Sequence, residues 1–151
     1  YSIVNQMKKL LPLSFLGYFF YYSPSRLFFY LKKIFVPSFR KFNINDISFN
    51  CISKPEILEI VKKSMVLIDI EHPQQKGLTM RTIEMIGAKR KLITTNKSIV
   101  SYDFYNENNI MLIDRSNICI NLEFFNTPYK ELDKEIYESY SLSSWLKKVL
   151  R

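Results

Sequence analysis

Met65-Val66-Leu67-Ile68-Asp69-Ile70-Glu71-His72-Pro73-Gln74-Gln75-Lys76-Gly77-Leu78-Thr79-Met80-Arg81-Thr82-Ile83-Glu84 runs from an apolar stretch through a polar loop into helical spacing. The apolar stretch suits a buried strand, and the segment from Leu78 to about Ala88 suits a helix. Strand, loop and helix start form the unit of an open α/β sheet, whose ligands bind at the carboxyl ends of the strands. A helix N-terminus there offers unpaired backbone N–H groups and the positive end of a dipole, which together suit a phosphate. Lys76 and Arg81 place positive charge on either side of Gly77, where a backbone without Cβ can approach a phosphate closely. Leu78, Thr79, Met80 and Arg81 would present the first-turn amides. Glu84 follows Gly77 by seven residues. That is about 10 Å along a helix, roughly the span from a diphosphate to the hydroxyls of its ribose. Acidic residues hold ribose hydroxyls in dinucleotide folds. Taken alone, Glu84 reads as an ordinary exposed helix residue, and it is the context that points to the ribose. The segment therefore reads as a nucleotide-diphosphate site, with a sugar nucleotide as the expected ligand.

The same alternation extends along the chain. Phe15 to Tyr22 is continuous and aromatic, as buried strands are, and Ile47 to Ile52 reads as another strand. Ser23 and Pro24 read as cap and first position of a helix that carries Leu27, Leu31, Ile34 and Phe35 on one face. Ser53-Lys54-Pro55-Glu56 is a capping-box pattern ahead of Ile57, Leu58 and Val61. Leu92 to Thr95 and Ile110 to Ile113 read as short strands, with a helical turn and loop between Ser98 and Tyr105. From Ile118 onward three helical segments are expected, centred on Leu122, Ile136 and Trp145. Near-continuous apolar strands alternating with helices imply a parallel sheet covered on both faces. With right-handed crossovers the fold class is α/β, a Rossmann-like sheet with helices on both faces and the C-terminal helices packed against it.

A length of 151 residues suits one domain, 1–151, and the chain's start at Tyr1 reads as a piece of a longer protein. A hydrophobic fraction of 47% with only 3 Gly excludes a disordered chain. The two cysteines, Cys51 and Cys119, stand far apart among apolar neighbours and read as buried thiols. The net charge of +8 is unevenly spread: the first 45 residues hold seven cations, no acid and 13 aromatics. Such a segment suits a polyanion or an anionic membrane face, or equally a core with a solvated cationic rim. The longest near-apolar run, Leu10 to Tyr22, covers 13 residues, short of the roughly 20 that a spanning helix needs.

The stretch from Gly77 to Ala88, followed by Lys91-Leu92-Ile93-Thr94-Thr95-Asn96, resembles the donor-binding, C-terminal half of GT-B glycosyltransferases. From Ile70 to Asp114 it is similar to the bacterial transferases of lipopolysaccharide, capsule and exopolysaccharide assembly. The resemblance implies a nucleotide-sugar donor, a glycan or glycolipid acceptor, and an N-terminal half that supplies the general base, so that this chain alone would bind donor without turning it over. It also implies a cytoplasmic setting, with peripheral contact at the inner membrane, and neither a metal cofactor nor a nucleic-acid partner. Retaining members often carry a second glutamate with seven residues between the two. Lys76 stands at that position here, which favours an inverting mechanism.

His72, the one histidine, could contact a phosphate or the donor sugar, or serve as a polar loop residue. Thr94, Thr95, Asn96 and Lys97 follow a strand end and would line the same cleft or form a capped turn, and Ser53 with Lys54 would approach the base. No serine or cysteine has a histidine partner for a triad, no metal-ligand spacing appears, and Asp69 and Glu71 alternate along a strand end and so make no acid/base pair. The alternative function is a non-catalytic, basic Rossmann-like module that binds nucleic acid or a protein partner.

Overall fold

The computed structural model describes residues 2–72, 74–75 and 77–150. Where length alone suggests one domain, contacts group the chain into two compact units, one ending at Ile57 and one beginning at Leu58.

The first unit begins with helix α1 (Ser2–Leu10), followed by α2 (Arg26–Phe35). Its core gathers Phe29 from α2 with Phe39, Phe42 and Ile47, and Tyr21, Ile44 and Phe49 pack against them. The strands expected at 15–22 and 47–52 contract to one parallel bridge, Tyr22 to Ser48. Ser23 N donates to Ser48 O at 3.0 Å and Ser48 N to Tyr21 O at 2.8 Å. The ladder stops there because Ser48 folds the chain back locally. Its hydroxyl donates to Asn50 O and accepts from Asn50 N, groups that a longer ladder would use. The cap of α2 is Ser25 rather than Ser23: its side chain accepts from Phe28 N at 3.1 Å, while the buried Ser23 donates to Ser25 O. Helix α3 (Lys54–Lys63) straddles the division and opens with the expected capping box. Ser53 N and Oγ both donate to Glu56 Oε2, at 2.8 and 2.7 Å, and Glu56 N donates back to Ser53 Oγ.

The second unit holds the sheet. Strands β1 (Val66–Asp69), β2 (Lys91–Thr94) and β3 (Ile110–Leu112) run parallel in that order, with Leu67 opposite Leu92 and Ile93 opposite Met111. β2 is the central strand, buried at all four positions. Helix α4 (Met80–Ala88) packs on β1 and β2, with Thr82, Met85 and Ile86 buried. Its hydrophobic stripe follows from the sequence spacing, and it ends at Lys89, which turns into left-handed backbone at φ 53°. Helices α5 (Glu123–Asn126), α6 (Lys134–Ser139) and α7 (Leu142–Val149) complete the unit. This is an α/β fold with an open parallel sheet flanked by helices, Rossmann-like in class.

The helix expected around Leu122 shrinks to four residues because Asn121 and Thr127 bend the chain at either end. Lys91, 1% exposed, joins this segment to the sheet. Its Nζ donates to Phe124 O at 2.7 Å and to Thr127 Oγ1 at 2.6 Å, and it sits 4.5 Å from the centre of the Phe124 ring. Both cysteines are exposed, contrary to the burial that their apolar neighbours imply. Cys51 lies just ahead of the α3 cap and Cys119 in the irregular stretch before α5, so neither occupies a face that packing would cover. No helix among the described residues is long and apolar enough to cross a membrane.

Candidate functional site

The loop from β1 to α4 is built from both ends. Gly77 has φ +85°, in the left-handed half of backbone space that side chains disfavour, and this turns the chain toward the helix. Thr79 then caps α4. Its hydroxyl accepts from Thr82 N at 3.2 Å and donates to the Asp69 carboxylate at the end of β1. A strand end and a helix start ten residues apart are thus tied through one hydroxyl. The relay uses the third amide of the first turn and leaves those of Met80 and Arg81 as its open donors. It also sets a carboxylate beside the helix N-terminus, where the dipole stabilises negative charge.

Two other strand ends brace the loop. At the end of β2, Thr94 and the following Thr95 and Asn96 are buried. Asn96 Nδ2 donates to Gly77 O at 2.8 Å, and its Oδ1 accepts from Ser98 N and Ser98 Oγ at 3.0 and 2.6 Å. After β3, Arg115 reaches back across the sheet edge. Its Nη2 donates to Glu71 O and, at 2.9 Å, to Thr95 Oγ1. Among the described residues no carboxylate pairs with Arg115. Lys97 instead meets Asp114 at 3.3 Å. The Asp114 carboxyl is held well below the usual carboxylate range, first by the Ser116 hydroxyl and amide and then by Lys97.

The sequence-derived candidates divide accordingly. Gly77, Leu78, Thr79, Met80, Arg81, Thr95 and Asn96 all lie at the carboxyl edge of the sheet or on the helix start it faces. Glu84 lies one turn past Arg81, and the two form an ion pair at 2.6 Å, with side chains 42% and 40% exposed. The acid therefore faces solvent on α4. His72 is exposed and folded into a turn: Gln75 N donates to His72 O at 2.9 Å and Gln74 N to its Nδ1 at 3.3 Å. Ser53 belongs to the first unit, where its hydroxyl and amide are spent on the α3 cap. Lys76 lies outside the described residues.

Asp69 and Arg115 are structural members of this edge that residue spacing did not reveal as such. The available signal was positional: each stands at or just past a strand end, as Thr95 does. The strand order β1-β2-β3 does not reverse among the described strands, so the edge is shaped by its loops rather than by a switch in strand direction. A separate concavity of about 380 Å³ in the first unit is lined by Asn5, Lys8, Tyr21, Lys41 and Asp46 among others, and includes none of these loop residues. Among the described residues no group of three His, Cys, Asp or Glu side chains is arranged to hold a metal ion. Comparison with family models, with curated proteins and with solved structures finds no match to this chain.

Proposed function

We propose that this chain is the donor-binding half of a GT-B glycosyltransferase, taking a nucleotide-diphosphate sugar for transfer to a bacterial cell-surface polysaccharide or lipopolysaccharide. The observation that carries the reading is the β1–Gly77–Thr79–α4 turn, braced by Asn96 and Arg115, with Glu84 solvent-facing farther along the same helix. The diphosphate lies against the amides of Met80 and Arg81, and the ribose against Glu84. The Arg81–Glu84 pair must open for both roles to be filled. An exposed pair of this kind is worth about 0.2–1 kcal/mol, a small barrier to donor binding. Arg81 then turns to the phosphates and releases the carboxylate to the ribose hydroxyls.

As the glycosidic bond breaks, negative charge grows on the leaving diphosphate. Fixed amides and the positive end of α4 stabilise that charge without reorganising. Lys76 adds to this in the same reading. The base that takes the acceptor's proton comes from the other half of the enzyme, so this chain by itself binds donor and does not transfer it. The working position is peripheral, at the cytoplasmic face of the inner membrane.

Titration with UDP, GDP, CMP and TDP tests the reading. One of them is expected to bind, and Glu84→Ala is expected to weaken it about tenfold, equivalent to about 1.4 kcal/mol. Absence of binding by all four, or equal affinity in the variant, would remove the ribose role from Glu84 and the reading with it.

A further inference from the structure

The concavity of about 380 Å³ in the first unit has the size that small ligands use, roughly 300–1,000 Å³. Three rings wall it: Phe19, Tyr21 and Phe42. Phe42 is buried and its ring centre lies 5.3 Å from that of Tyr21, so this part of the wall is held by the unit's own core. Phe19 folds back over Gly17, and a Cβ at position 17 would collide with its ring. Glycine is what lets the backbone and that ring approach. Charge enters from two separate elements. Lys8 comes from α1, and its Nζ stands 5.4 Å from the centre of the Phe19 ring. Lys41 comes from the helical turn Pro37–Lys41, which Phe42 caps. Among the described residues neither lysine forms an ion pair, although Asp46 lines the same concavity. Asn5 Oδ1 accepts from the Tyr21 hydroxyl at 2.9 Å, so what Asn5 offers a ligand is its N–H donors.

We propose that this concavity binds a small aromatic phosphate monoester, with the ring against Phe19 and the phosphate between the ammonium groups of Lys8 and Lys41. Two lysines against one acid leave the lining net positive, so the guest is an anion. A phosphate monoester carries about −1.5 to −2 charges near neutrality, enough to engage both lysines. Each ammonium is a compact point charge that suits a phosphate oxygen. The rings supply the second half of recognition, because aromatic pairs favour offset-stacked or edge-to-face contact. A bare oxyanion would leave three rings unused, and an uncharged aromatic guest would leave two ammonium groups unmatched. A nucleic-acid strand needs a charged track several nucleotides long, whereas this concavity holds one small molecule. The site lies wholly in the first unit and shares no residue with the β1–α4 edge, so it is independent of the donor-site reading.

Isothermal titration with phenyl phosphate tests this. The chain is expected to bind it with a Kd of about 1 mM or below, and to bind inorganic phosphate or phenol at least tenfold more weakly. Lys8→Gln/Lys41→Gln is expected to weaken phenyl phosphate at least tenfold, and Phe19→Leu about threefold, while far-ultraviolet circular dichroism stays that of the parent. Lys9→Gln removes the same charge from α1 outside the concavity and is expected to change affinity by less than about twofold. If the double variant does not fold, the single variants Lys8→Gln and Lys41→Gln, at exposed positions, make the same comparison with about threefold losses. The proposal is overturned if phenyl phosphate does not bind by about 10 mM, or if inorganic phosphate or phenol binds equally. It is equally overturned if the folded lysine variants bind like the parent, or if Lys9→Gln costs as much as Lys8→Gln.

Discussion

Asp69 and Thr79 set the electrostatics of the β1–α4 turn. The carboxylate already occupies part of the field that a phosphate would use. Asp69→Asn keeps an acceptor for the Thr79 hydroxyl and removes the charge. It is therefore expected to raise affinity for the preferred nucleoside diphosphate by about threefold, roughly 0.6 kcal/mol, as isothermal titration would read. Thr79→Val removes both halves of the relay and is expected to cost about 1–2 kcal/mol in chemical denaturation. Arg115 holds two loops by one nitrogen. Arg115→Ala is expected to weaken a nucleoside diphosphate more than the bare nucleoside, which separates loss of positive charge from loosening of the loop. At this scale the sequence was informative where chemistry is local. Gly77 announces a turn and Asn96 a capped turn by residue type alone, whereas Thr79, read as a first-turn amide, proved to be the cap, and the Asn96 brace to Gly77 spans 19 residues. Arg115 and Asp69 were not legible in this way, because their partners lie 44 and ten residues away and only the sheet brings them together.

Among the elements, α3, α4 and α7, each with one periodic face, and the three short apolar strands were readable within a residue or two. Apolar spacing set their type, and caps set their limits. The aromatic run at 15–22 failed as a strand because composition does not supply a neighbouring edge, and Ser48 ends the bridge that Tyr22 makes. Toward the C-terminus, Tyr140 closes α6 and donates to Asp103 at 2.6 Å while standing edge-on to Phe104 at 4.9 Å. Burial and that hydrogen bond push its phenol above the ordinary range. In the unfolded chain the phenol would ionise first, so the contribution is complete below the ordinary tyrosine value and declines as pH rises through it. Tyr140→Phe is expected to cost about 1–2 kcal/mol near neutrality and to flatten the alkaline loss of stability, measured as denaturation midpoint against pH.

For the whole molecule, two further groups shape the response to pH. Asp114 favours the folded state above the ordinary carboxylate range, and this is lost as acid titrates the carboxyl through its lowered value. Asp114→Asn is expected to flatten that acid limb. Lys91 acts in the opposite sense from Tyr140. Desolvation lowers its ammonium pKa, so between the lowered and ordinary values the unfolded chain binds more protons and stability climbs with pH. The charge asymmetry between the acid-free first third and the nearly neutral remainder was plain in composition. That Lys32 lies on the core side of α2, over the Phe39 ring, was not, because it depends on which side Phe29 turns inward.

Enclosure of the Lys91 amine makes it a natural gauge of local opening. Acylating reagents that tag surface lysines within seconds should leave this one unmarked until residues 124–127 lift from the central strand. The rate at which its mass tag accumulates would then time that detachment directly, without unfolding the remainder of the sheet.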